Sequence, residues 1–362
     1  MEYKKSWKVG AAVVAAAIVA PCAYGQSAVT LAGVIDAAVS HNQGTGRGSV
    51  TGLSSGNNLA SRIIFRGTED LGGGLGAGFW LEGQLNMDNG NAAGLTFTRR
   101  STVSLTGNFG EVRLGRDLTP TYLNDWPYDP FQNRGAGTAL NYNNFSGTVG
   151  GVATGIDELR VNNSIGYFTP AILGGWNATA QYAFGEAQST AVNNKGGNYL
   201  GARVSYAQGP VNFGVAAGKW RQVGNAASAV NVRGDLEKFS VGGSYDFGIV
   251  RPMAYYGQEK LTGFLPATLT TMLIGAVVPI GAGEFRFAYS HYDLKNSAND
   301  FNKFAIGYNY NLSKRTQLYA TVAKIQNKGA ATKSIGQEGL AATGTSPGGS
   351  SSGFDLGIRH LF

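Results

Sequence analysis

Cysteine, histidine, charge and long apolar runs are all scarce in this chain. Of its 362 residues one is cysteine, three are histidine, ten are proline and only 14% are charged. A lone cysteine, Cys22, allows no intrachain disulfide and no cysteine-based metal site. The longest apolar run, Val9–Pro21, falls short of the ~20 residues a membrane-crossing helix needs. Prolines are few and glycine does not recur at every third position, which excludes collagen. The abundant residues are glycine (55) and the aromatics, with 18 Phe, 17 Tyr and 5 Trp. A hydrophobic content of 43% is too high for intrinsic disorder. Either a large soluble all-β protein or a membrane β-barrel fits this balance.

Residues 1–25 read as a cleaved secretory signal. Lys4, Lys5 and Lys8 start it, the apolar stretch follows, and Ala23-Tyr24-Gly25 places small residues at the cleavage site. Removing it takes Cys22, three lysines and Glu2, so the formal charge falls from +7 to +5 over residues 26–362. An exported chain without cysteine points toward the bacterial envelope.

Period-two alternation runs through the rest. Phe354, Leu356, Ile358, His360 and Phe362 share one face, while Asp355, Gly357 and Arg359 share the other. Phe304, Ile306, Tyr308 and Tyr310 oppose Lys303, Ala305 and Asn309 in the same way. Each run reads as a strand with one apolar and one polar face. Sixteen such strands are expected, near 27–40, 60–69, 75–87, 96–106, 111–117, 160–169, 175–185, 198–207, 211–221, 236–246, 249–259, 268–280, 283–293, 300–310, 315–325 and 353–362.

The connections alternate between short Gly/Pro/Asn turns and longer polar segments, the longest being 118–159. A soluble sandwich would not gather its long loops at one end. Strands of ~10 residues at ~3.3 Å rise, tilted ~40°, span about 25 Å, the height of an outer-membrane apolar band. Lipid forbids open sheet edges, so such a sheet closes on itself. At sixteen strands the interior holds water. The expected fold is therefore all-β, a 16-stranded antiparallel transmembrane β-barrel.

Several segments resemble the general porins of Gram-negative bacteria, of the β-proteobacterial type. They are Ser27–Asp36, Ser61–Gly72, Phe109–Arg116, Tyr128-Asp129-Pro130-Phe131, Arg160–Tyr167 and the ending Gly357–Phe362. The resemblance implies a water-filled outer-membrane channel for passive diffusion of ions and small hydrophilic solutes. It also implies a homotrimer, and a third loop, 118–159, folded inward to narrow the pore. The C-terminal Phe362 would be the signal read by the barrel-assembly machinery. Outer-membrane lipid and lipopolysaccharide would surround the wall. No cofactor, metal, catalytic site or nucleic-acid partner is expected. The three histidines are scattered, and the cluster Gly72–Gly78 lacks the Lys-Ser/Thr and helix of a phosphate loop.

A porin works by aperture and field. Arg62 and Arg66 have parity opposite to Ile63 and Phe65, which places them in the lumen, and Glu82 also faces inward. By resemblance, Arg62, Arg116 and Arg160 stand where the family keeps a basic cluster facing the third loop. Strict alternation instead puts Arg113 inward and Arg116 with Val112 and Leu114. A bulge, or a place for Arg116 at the loop junction, would reconcile the two, and the cost of an arginine in lipid makes the lumen the expected place for Arg116. Asp125 and Asp129 are candidates for the acidic side of the constriction, with Tyr122 and Trp126 as its aromatics. Such opposed charges would set a transverse field in a narrow aqueous gap. Positive net charge and the arginines suggest mild anion preference. The alternative is a substrate-selective channel of the same architecture, with Trp80, Tyr122, Trp126 and Tyr128 as an aromatic track.

Overall fold

The computed structural model describes residues 28–362 apart from 91–95, 141–147, 150–151, 154–155, 172, 187, 191–193, 224–233 and 264–265. The expected leader, 1–25, lies outside the described residues. The strands are β1 (Ala28–Gly44), β2 (Gly48–Ser55), β3 (Arg62–Gly72), β4 (Leu75–Gln84), β5 (Arg100–Gly107) and β6 (Gly110–Leu118). After a short helix α1 (Pro120–Asp125) come β7 (Thr148–Val149), β8 (Val152–Ala153), β9 (Arg160–Phe168), β10 (Trp176–Ala183), β11 (Tyr199–Gln208) and β12 (Val211–Val223). Then follow β13 (Gly234–Tyr245), β14 (Arg251–Leu261), β15 (Ala267–Ile280), β16 (Gly283–Leu294), β17 (Phe301–Asn311), β18 (Thr316–Asn327) and β19 (Ser350–Leu361).

All but β7 and β8 join one antiparallel sheet, and the last strand returns to the first, from Val34↔Leu361 to Gly44↔Ser351. β2 and β3 pair with successive stretches of β1, so together they make one interrupted wall strand. The wall is thus a closed 16-stranded barrel. The seam is completed by Phe362, which exchanges backbone hydrogen bonds with Gly33 at 3.0 and 3.1 Å and lays its ring over that glycine.

The alternation in sequence becomes two environments. Along β18, Gln317, Tyr319, Thr321, Ala323 and Ile325 turn inward, while Leu318 and Val322 turn outward. Ile274, Phe287, Ile306 and Leu356 continue that apolar outer belt on neighbouring strands. Lipid would cover it, which is why apolar side chains can stay outside.

Two segments differ from expectation. Residues 41–59 are largely strand, because β1 continues to Gly44 and β2 returns beside it after a tight turn. The segment 326–352 is held in place: Ile335 and Thr345 are buried, and Gln337 bonds to Asp355 and Asn42. Its Gly- and Ser-rich composition reads as loose; the polar partners that fix it come from distant strands.

Segment 119–140 folds into the barrel. Thr119 caps α1 by accepting from the Tyr122 amide at 3.2 Å, and Pro120 fits the first helical position. Asn124, Tyr128, Pro130 and Phe131 then lie against the inner wall over Gly214, Gly242, Gly275 and Gly307, where a Cβ would stand 2.2–2.9 Å from them. Glycine is needed at these wall positions so that the loop can approach. Asp129 is enclosed and accepts amide hydrogen bonds from Phe131, Asn133, Ala139 and Leu140. Burial pushes its carboxyl above the ordinary value, against those four donors.

Candidate pore constriction

The wall strands opposite the seated loop converge on a cavity of ≈ 320 Å³. Among the described residues, Arg62, Arg99, Arg100, Arg113, Arg134 and Arg160 line it, against two carboxylates, Glu82 and Asp117. Arg62 comes from β3, Glu82 and Trp80 from β4, Arg100 from β5, Arg113 and Asp117 from β6, and Arg160 from β9. Arg134, Tyr122 and Trp126 reach it from the inward segment.

The two carboxylates hold guanidiniums in place without cancelling them. Glu82 lies 2.6 Å from Arg99 and 3.6 Å from Arg62; Asp117 lies 2.5 Å from Arg113 and 3.8 Å from Arg100. Arg160 donates from Nε to the Arg99 carbonyl at 2.6 Å, which fixes its stem and leaves the fork toward the cavity. Aromatic rings add support. Arg100 sits 4.6 Å and Arg66 5.4 Å from the Trp80 ring, and Arg113 lies 4.0 Å from that of Phe168. Arg66 belongs to an adjoining cavity of ≈ 520 Å³ nearer the short turns, shared with Trp80, Arg100, Arg113 and Glu111.

Of the residues singled out from sequence, Arg62, Arg160, Tyr122 and Trp126 meet in the constriction, and Arg66 stands just below it. Arg116 does not meet them. It faces Ser101 across the sheet and bonds to Asn162 at 2.6 Å and Asp157 at 2.9 Å, on the outward face with Leu114. A bulge is present, but it falls on β9, where Asn162 and Asn163 stand opposite the single Arg116. Alternation along β6 is therefore kept, and Arg113 takes the lumen position.

Asp125 and Asp129 do not face the aperture either. Asp125 is buried 2.9 Å from Lys238 and accepts from the Tyr255 hydroxyl at 2.7 Å, while Asp129 closes its own loop. Positive charge thus stands on both sides of the gap, Arg134 on the loop and Arg62, Arg99 and Arg160 on the wall. The opposed-charge field expected from the loop aspartates gives way to a cationic ring.

Arg99, Arg100 and Arg134 escaped the sequence reading. The doublet Arg99-Arg100 carries a signal, since one of two neighbours must face inward. Both do, because Arg99 lies just ahead of β5, where its amide donates to the Glu82 carbonyl and alternation has not begun. Arg134 has no periodic signal, because the loop sets its direction.

With this geometry in view, comparison with known proteins places the fold. The family model for Gram-negative porins matches residues 11–330. The chain therefore belongs to the Gram-negative porin family. It is an outer-membrane channel protein, and porins of this family conduct solutes. The chain is similar to outer membrane porin protein 32 of Delftia acidovorans, 40% identical, with 94% of this chain and 95% of that one covered. An outer membrane porin of Bordetella pertussis is 28% identical over 83% of this chain and 89% of its own. Among solved structures, the anion-selective porin from Comamonas acidovorans superposes with a TM-score of 0.85 at 38% identity, covering 93% of this chain and 100% of that one. OmpT of Vibrio cholerae in its trimer form, at 15% identity and a TM-score of 0.62 over 93% of this chain and 99% of that one, shares the fold.

Proposed function

We propose that this porin is an anion-preferring diffusion channel whose selectivity is set by the arginine ring of the constriction. The observation that carries the reading is the excess of six arginines over two carboxylates around one cavity. Low-dielectric walls focus such a field, and charge rings bias ion choice. Screening within ~8 Å in physiological salt confines the effect to the constriction. The named selectivity of the Comamonas porin supports the same sign. Reversal potential of the purified protein in a potassium chloride gradient tests it. Chloride preference is expected; potassium preference would refute it.

The working form in this reading is a homotrimer embedded in outer-membrane lipid and lipopolysaccharide, exported by a leader over 1–25. Phe362, at the seam, serves as the assembly signal for the barrel-assembly machinery. Heat-modifiable gel migration of the intact protein tests the trimer, and deletion of Phe362 is expected to lower its yield. A substrate-selective channel is the second reading, favoured by the stacking of Arg66 and Arg100 on Trp80. Such a ladder would recognise small organic anions, and block of ion current by a dicarboxylate would distinguish it from open diffusion.

A further inference from the structure

Segment 328–349, between β18 and β19, reaches down over the constriction. It is pinned by bonds from distant elements. The Ile335 amide donates to the Ser351 hydroxyl, Gln337 bridges Asn42 and Asp355, and the Ser55 amide donates to the Glu338 carbonyl at 2.9 Å. A tight turn follows, with Gln337 paired to Leu340 and Gly339 at φ +84° standing against the Asp88 carboxylate. These contacts hold the half-buried Glu338 side chain beside the ring, its Oε2 3.9 Å from Arg134 Nη1.

We propose that Glu338 is a selectivity-setting residue, a tethered carboxylate that occupies the field of the constriction arginines and weakens their pull on passing anions. The proposal rests on the anion-preferring reading above and names a residue that tunes it. A permeant anion and the Glu338 carboxylate compete for the same guanidiniums, and the carboxylate cannot leave because its backbone is tied to Ser55. The groups that face it are Arg134 from the third loop, Arg99 and Arg160 from the wall, and Asp88 from the segment after β4. Burial, with Asp88 adding to it, pushes the Glu338 carboxyl above its ordinary value of 4.5, and the three arginines oppose this. Its charge is therefore lost at a higher pH than that of a free glutamate, and anion preference rises as it goes.

The test is reversal potential in a potassium chloride gradient for the intact wild-type protein, Glu338→Gln and Glu338→Asp, at neutral pH and on acidification. Glu338→Gln should raise the chloride-to-potassium permeability ratio by about twofold or more, the size expected when a focused field changes by one charge. Wild type should climb toward the Gln value on acidification, at a higher pH than a free glutamate would require, whereas Glu338→Gln should lack that climb. Glu338→Asp should behave as wild type. A Gln variant matching wild type at neutral pH, or an Asp variant matching Gln, would overturn the proposal. A potassium-preferring wild type would refute the anion reading itself, while the difference between wild type and variant still reports on Glu338.

Discussion

The interior has two halves that use charge in opposite ways. On the side of β3–β6 and β9, arginines line a cavity, steadied by Glu82 and Asp117. Across the lumen, on β13 and β14, charge is sealed beneath the third loop. There Lys238 is buried among Asp125 at 2.9 Å, Glu158 at 3.4 Å and Glu259 at 3.5 Å. The first half lines the cavity, and the second holds the loop against the wall. Counting charges along the chain does not separate these uses; the position of the loop does.

Breaking the sealed half should produce the largest effect. Lys238→Met leaves three carboxylates without their shared cation, a loss on the order of 3–5 kcal/mol for a buried group. The temperature of heat-modified gel migration should fall and single-channel conductance should rise as the loop loosens. Unchanged values of both would mean that the ion cluster does not seat the loop. Trp80→Ala acts on the water-facing half and should be milder. It removes ring contacts of about 0.5–1 kcal/mol each from Arg66 and Arg100. A small fall in the chloride-to-potassium ratio is expected from reversal potentials, and a rise would mean that the ring obstructs anions. Arg116→Ala should have the smallest effect, none on selectivity, because that side chain lies outside the wall. A clear loss of anion preference in this variant would put Arg116 back in the lumen.

Much of the barrel was legible in sequence because lipid and water impose opposite demands on alternate residues. Phe304, Ile306 and Tyr308 against Lys303, Ala305 and Asn309 is such a record, and β17 follows it. Alternation also placed Arg62, Arg66 and Arg113, and it located Arg113 and Arg116 better than resemblance did. It had no purchase on the loops. Asp125 and Asp129 look like solvated loop carboxylates until Lys238 and the amides around Asp129 are seen beside them. Glu338 was equally silent. Nothing local shows that its segment is tied to Ser55 and Asp355, whose partners lie in other strands.

The reversal potential of Arg62→Gln/Arg99→Gln/Arg160→Gln beside wild type, in one potassium chloride gradient, tests most directly whether the arginine ring sets selectivity. The ring predicts chloride preference in wild type and its collapse toward neutrality in the triple variant, with the barrel still folded on native gels. An equal potential in both proteins would contradict it.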